Sequence, residues 1–177
     1  MGSEARMTLK TLGDNPLYLK TRSEVRDYLD GIFADGIRLK SYTDLAFQVI
    51  RDVAVGETDG SAPDNVLSVG IDFSSGYSGF IWYCDGGLAH RVSAEFGHDI
   101  AYHPWVSMNP NPPQSDPKVL SDPSCPTFFD RVSVMPLSSI RPVVEEYFNE
   151  GTGFRPAQIQ WVKGHYTGEL YVEDSEA

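Results

Sequence analysis

Four histidines, at 90, 98, 103 and 165, are the residues of this chain best suited to metal or acid–base chemistry. His98-Asp99 with His103 would set two imidazoles and a carboxylate in one neighbourhood. An i, i+5 pair of histidines across a turn is not a recurring zinc spacing, however, and surface histidines that only hydrogen-bond are far commoner. The two cysteines, Cys84 and Cys125, stand far apart and in no metal or redox pattern. A zinc deaminase needs a His/Cys-x-Glu element and a Pro-Cys-x-x-Cys element. Here Pro123-Ser124-Cys125-Pro126 offers one cysteine without a companion. There is no Gly-x-Ser-x-Gly elbow for nucleophilic catalysis. Gly151-x-Gly153 is too short for a phosphate loop and lacks its lysine. Cys84, inside an apolar run, reads as a small core residue. The chain is therefore expected not to be an enzyme and to carry no cofactor or metal.

The elements that would position any site are clearer. Ile140, Val143, Val144, Tyr147 and Phe148 fall at i, i+3, i+4, i+7 and i+8, one apolar stripe of a helix over 139–150. Ser138 or Ser139 is placed to cap it. Gly151 and Gly153 end it where positive φ is needed, and Pro156 stops it resuming. Ile159 and Trp161 then alternate with glutamines as in a half-buried strand. A second helix over 22–34 carries Val25, Tyr28, Leu29, Ile32 and Phe33, with Thr21 and Glu24 as a capping box and Asp35-Gly36 closing it. Both one-sided helices must lie on a flat apolar surface. Strands are expected at Thr8 to Leu12, Leu67 to Phe73 and Phe80 to Cys84. Ala46 to Val55 fits a helix stripe as well as an alternation, and its β-branched residues tilt it to a strand. Asp85-Gly86-Gly87 turns the chain into Leu88 to Phe96, and Ile100 to Met108 reads as a further strand. Phe128 to Met135 is another, and Gly168 to Val172 adds an edge strand. The expected class is α+β: a mainly antiparallel sheet with two amphipathic helices packed against it.

At 177 residues the chain fits a single domain over 1–177. Residues 1–6 read as a frayed or appended start, 57–65 as a polar loop and 173–177 as an acidic tail. Asn109 to Thr127 holds six of the twelve prolines, a stretch that is functional or mobile if it has no structure of its own. Fourteen basic against twenty-five acidic residues give a charge of −11. That surface repels nucleic acid and anionic lipid and attracts basic partners, although acidity also serves plain solubility. No apolar run is long enough to span a bilayer, and none near the start resembles a secretion signal. Two unpaired cysteines suit a reducing cytoplasm.

The helix ending in Glu-Tyr-Phe, the turn Gly151-Thr152-Gly153-Phe154-Arg155-Pro156 and the strand with Trp161 resemble one family of bacterial immunity proteins. These are encoded beside polymorphic toxins of the nucleic-acid deaminase type. The resemblance continues in Leu67-Ser68-Val69-Gly70-Ile71-Asp72 and Phe80-Ile81-Trp82-Tyr83, and it covers about Thr21 to Val162. It implies a cytoplasmic protein that binds a cognate toxin, a DNA or RNA cytosine deaminase with a basic groove, and occludes its active site or substrate groove. The matching positions Gly70, Gly151, Gly153, Arg155, Pro156 and Trp161 are best explained as structural. Trp161 is expected under the second helix, and Arg155 is expected to pair with Glu146 or Glu150. Toxin contacts are sought instead among acidic and aromatic residues at turns and strand ends: Asp72, Tyr77, Asp85, Glu95, Asp99 and Trp105. The alternative is a non-catalytic adaptor or regulatory module for an ordinary host protein. An enzyme with a dispersed site is a third reading, which turnover on a nucleotide panel would favour.

Overall fold

The computed structural model describes residues 7–51 and 64–171. The start at 1–6, nearly all of the loop at 57–65, Val53, Val55, Val172 and the tail at 173–177 lie outside the described residues.

Thr21 opens the first helix, α1 (Arg22–Leu39), through the capping box. Its hydroxyl accepts from the Glu24 amide at 3.2 Å, and the Glu24 carboxylate accepts from the Thr21 amide at 3.0 Å. The helix runs beyond Gly36 to Leu39, five residues further than expected. Gly36 is a packing residue here: a Cβ on it would sit 2.1 Å from the Phe73 ring. Close approach to Phe73 offsets the roughly 1 kcal/mol that glycine costs in a helix. Lys40, at φ 50°, ends the helix instead and donates its amide to the Gly36 carbonyl.

Among the described residues ten strands follow the expected α+β plan. Eight form one antiparallel sheet with its path in the order β10 (Gln160–Lys163), β6 (Trp105–Met108), β5 (Tyr77–Cys84), β4 (Asn65–Asp72), β3 (Tyr42–Arg51), β1 (Met7–Thr11) and β2 (Tyr18–Leu19). β9 (Met135–Pro136) pairs with the start of β5. β7 (Leu120–Asp122) and β8 (Thr127–Phe128) make a separate hairpin. One sheet face presents Phe47, Leu67, Val69, Phe80 and Trp82 to α1, to α4 (Ile140–Glu150) and to a further helix, α2 (Gly86–Phe96). All five predicted stripe residues of α4 are buried there. Each such burial contributes roughly 1.5–3 kcal/mol, more than the cap that α4 lacks. Ser139 is helical in backbone and makes no capping bond, because a 3₁₀ turn at Leu137–Ser139 leads into α4.

Four readings of the middle of the chain are corrected. Leu88 to Phe96, placed after a turn, is helical: Asp85 caps α2 by accepting from the Gly86 amide at 2.7 Å, and Leu88, Ala89 and Val92 bury its inner side. Ile100 to Met108 is not one strand. Ile100 belongs to the short α3 (His98–Ala101), and pairing begins only at Trp105, after Pro104. Phe128 to Met135 is broken by a turn in which Asp130 accepts from the Val132 amide, leaving two-residue strands at either end. After β10 the described residues form an isolated bridge, Gly164 to Leu170, and no full strand over 168–171.

The proline-rich stretch is structured on the second face of the sheet. Val119 is buried with Phe129, Val134, Ile81 and Val106 in a smaller cluster there. Gly70 and Gly79 accommodate it. A Cβ at Gly79 would come within 2.4 Å of the Phe129 ring, and one at Gly70 within 2.4 Å of the Leu120 carbonyl oxygen. Asn109 to Thr127 thus acts as a cover for the sheet.

Candidate functional site

The helix–glycine–strand unit builds a cleft. Gly151 and Gly153 take positive φ, 57° and 75°, and carry the chain out of α4 back across the sheet. A side chain at Gly153 would collide with Asn65, its Cβ lying 2.9 Å from that side chain. The Gly153 carbonyl instead accepts from the Trp82 indole at 3.0 Å, which fastens the turn to the centre of the sheet. Further along, the Glu146 carboxylate accepts from the amides of Ala157 and Gln158, at 2.7 and 3.0 Å. The Trp161 indole donates to the Pro156 carbonyl at 2.7 Å. Between this segment and the α2–α3 corner lies a cleft of about 440 Å³, with Trp82, Phe96, Ile100, Phe154, Arg155 and Trp161 among its walls. Phe154 meets Phe96 edge-on at 5.3 Å, and Arg91 lies over the Phe154 ring at 5.4 Å.

Arg155 does not pair with Glu146 or Glu150. Glu146 is engaged by backbone amides, and the Arg155 guanidinium stacks on Trp105, 4.2 Å from the ring centroid. Burial lowers its pKa from the ordinary value. Trp161, expected under α4, stands half-buried on the cleft wall in β10, the last strand of the sheet path.

The family model of the immunity protein Imm1 matches residues 13–163. The chain belongs to the Imm1 family. No curated protein and no solved structure matches it. The matched span takes in both helices, the β4–β5 hairpin and the whole cleft. Membership makes this an immunity protein with a toxin as its implied partner. Among the described residues no helix is long and apolar enough to cross a membrane.

The six residues singled out for toxin contact divide into two groups in this Imm1 chain. Asp72 and Tyr77 face each other across the β4–β5 register. Burial opposes ionisation of Asp72, but hydrogen bonds from Ser74 and Ser75 outweigh it and lower the carboxyl pKa. Asp72 is therefore a turn anchor. Asp85 lies beyond the other end of β5, about 25 Å away at the usual rise per strand residue, and caps α2. Glu95 and Asp99 are exposed on α2 and α3, and Asp99 reaches the Lys163 amine at 3.4 Å. Trp105 pairs with Lys163 in the β6–β10 register and donates its indole to the Ile100 carbonyl at 3.0 Å. Trp105 meets the cleft through its lining residues Ile100 and Arg155, and Glu95 and Asp99 stand next to Phe96 and Ile100 at the α2–α3 corner. Phe96, 50% exposed, lines the cleft itself, and Tyr102, 46% exposed, stacks on His98; an aromatic residue reads as core until its neighbours are known.

Among the described residues no group of three or more His, Cys, Asp or Glu is placed to hold a metal. His98 stacks on Tyr102, whereas His103 and His165 flank Tyr171. The Cys84 thiol donates to the Ala101 carbonyl, and burial, with Asp64 and Asp85 nearby, pushes its pKa up to about 11. Cys125 is exposed. With Ellman's reagent at neutral pH, one thiol should react at once and the second only in denaturant. Rapid release of two equivalents from the native protein would contradict this burial.

Proposed function

We propose that this Imm1 protein neutralises a nucleic-acid deaminase toxin, a DNA or RNA cytosine deaminase, in the cytoplasm, by covering its active site or substrate groove without catalysis. The observation that carries the reading is the charge of −11 combined with exposed carboxylates and aromatics bordering a cleft. A toxin that processes nucleic acid must present a basic groove, and an acidic protein can fill it as a substrate mimic. Glu95 and Asp99 supply the charge, with Asp85 at the far end of α2. Phe96, Tyr102 and Trp105 supply the aromatic anchors typical of binding hot spots. Protection requires near-complete inhibition, so the interface should bury roughly 1,600 Å² or more with a nanomolar or tighter Kd.

The test is co-expression with the toxin domain encoded beside this gene, scoring growth, co-purification and cytosine deamination in the host's nucleic acid. Rescue with a fall in deamination is the expected result. Failure to restore growth or to co-purify would overturn the reading. Rescue from a toxin that leaves cytosines intact would remove the deaminase assignment.

A further inference from the structure

We infer that the cleft beside β10 is a carboxylate-binding site, in which the Arg155 guanidinium receives an acidic residue of the toxin flanked by apolar side chains. This rests on the toxin-binding reading above and gives that surface a second, oppositely charged feature.

The case begins with what Arg155 lacks. Its Nη1 is buried without a hydrogen-bond partner. Among the described residues its guanidinium makes no hydrogen bond or ion pair and stacks on the Trp105 ring. Five described cations have a carboxylate partner: Arg26, Arg38, Lys118 and Lys163 within 3.4 Å, and Arg141 with Asp30. Lys20, Arg22, Lys40 and Arg91 form no ion pair among the described residues but are exposed to water, whereas Arg155 is half-buried. A half-buried guanidinium without a counter-ion is costly to keep, and burial lowers its pKa. Stacking on Trp105 holds the planar guanidinium in place and leaves Nη1 without a partner, so a carboxylate is the acceptor best matched to it.

The walls define the rest of the ligand. Trp82, Phe96, Ile100, Ile159 and Trp161 are apolar and favour a desolvated side chain next to the anion. A volume of about 440 Å³ suits one or two side chains. A polyanion is disfavoured by the net charge of −11, whereas a single carboxylate on a protein surface is not. A buried cation in the cleft would also reject a partner that places a lysine or arginine there, which adds specificity.

Two measurements test the inference. The first uses 3-phenylpropionate, its amide and inorganic phosphate as probes, followed by NMR at the Arg155 Nε–H and the indole N–H of Trp105 and Trp161. Saturable shifts with the carboxylate alone are expected. Equal shifts with the amide would reduce the cleft to an apolar groove, and a stronger response to phosphate would reassign it; either overturns the inference. The second compares wild type with Arg155→Met for binding to the neighbouring toxin domain. The variant should bind roughly 30-fold or more weakly, as when one partner of a buried charge pair is removed. Its melting temperature should be equal or higher, because an unpaired buried charge has gone. Wild-type affinity, or a clear loss of stability, would overturn the inference. If the wild type binds no deaminase toxin while phenylpropionate still shifts Arg155, the function proposed above fails and the carboxylate site stands.

Discussion

Replacing Glu95 and Asp99 together by lysine is expected to weaken toxin binding by roughly 100-fold or more. Both side chains are exposed beside the cleft, so the change turns attraction for a basic groove into repulsion. Like charges juxtaposed in an interface cost several kcal/mol, and most of the loss should appear in the association rate at low salt. The fold should survive. Among the described residues Glu95 makes no hydrogen bond or ion pair, and Asp99 gives up a surface pair with Lys163 of the kind worth about 1 kcal/mol or less. The informative control is Asp14→Lys with Asp27→Lys, which changes net charge equally but alters the β1–β2 loop and the outside of α1. Surface plasmon resonance at two ionic strengths reads both variants. The cleft-side pair should lose more affinity at low salt, and the gap should narrow as salt screens it. Equal losses in the two variants would mean that bulk charge, not this border, steers the toxin.

Substituting Asn65 by alanine should cost the fold about 3–5 kcal/mol, since several buried polar groups lose partners at about 1–3 kcal/mol each. The backbone pairing of β3 with β4 stops at Phe47 and Leu67. Beyond it the Asn65 side chain continues the ladder, its carbonyl accepting from the Val49 amide at 2.8 Å and its amide donating to the Val49 carbonyl at 3.0 Å. The same carbonyl accepts from the Tyr147 hydroxyl of α4. Burial raises the Tyr147 pKa well above its ordinary value, so the phenol remains a neutral donor. One side chain therefore closes the sheet and ties a helix to it. Urea unfolding should show the loss for Asn65→Ala and a smaller one, about 1 kcal/mol, for Tyr147→Phe. A cost below about 1 kcal/mol for Asn65→Ala would show that water or rearrangement replaces these bonds. With total stability of about 5–15 kcal/mol typical for a domain, the expected loss lies near the threshold of folding.

Neither Asn65 nor Arg155 was legible for what it does. Asn65 reads as the end of a polar loop, and its partners Val49 and Tyr147 lie 16 and 82 residues away. Ser107 and Asn109 are similar. The Ser107 hydroxyl donates to the Ser133 carbonyl and accepts from the Phe80 amide, and the Asn109 amide donates to the Val134 carbonyl, so buried polar side chains again stand in for ladder bonds. Nothing in their local spacing announces this. Helix α2 was missed for a different reason: Gly86 and Gly87, just after its cap, imitate a turn and hide the short buried stripe Leu88, Ala89 and Val92.

The sequence by itself determined what is decided within about one helical turn or one strand pleat. The Thr21–Glu24 capping box, the apolar stripe of α4, the positive φ of Gly151 and Gly153 and the alternation in β4 all follow from neighbours a few residues apart. The same residues also carried the resemblance that points to Imm1, and composition alone supplied the acidity. Tertiary structure decided the rest. It turned the proline-rich stretch into a cover for the second sheet face and divided the six surface residues between two ends of the β4–β5 hairpin. It also left Arg155 stacked on Trp105 without a carboxylate. These outcomes depend on which distant groups meet, and whether a charge or amide finds a partner is set by that meeting, not by residue type.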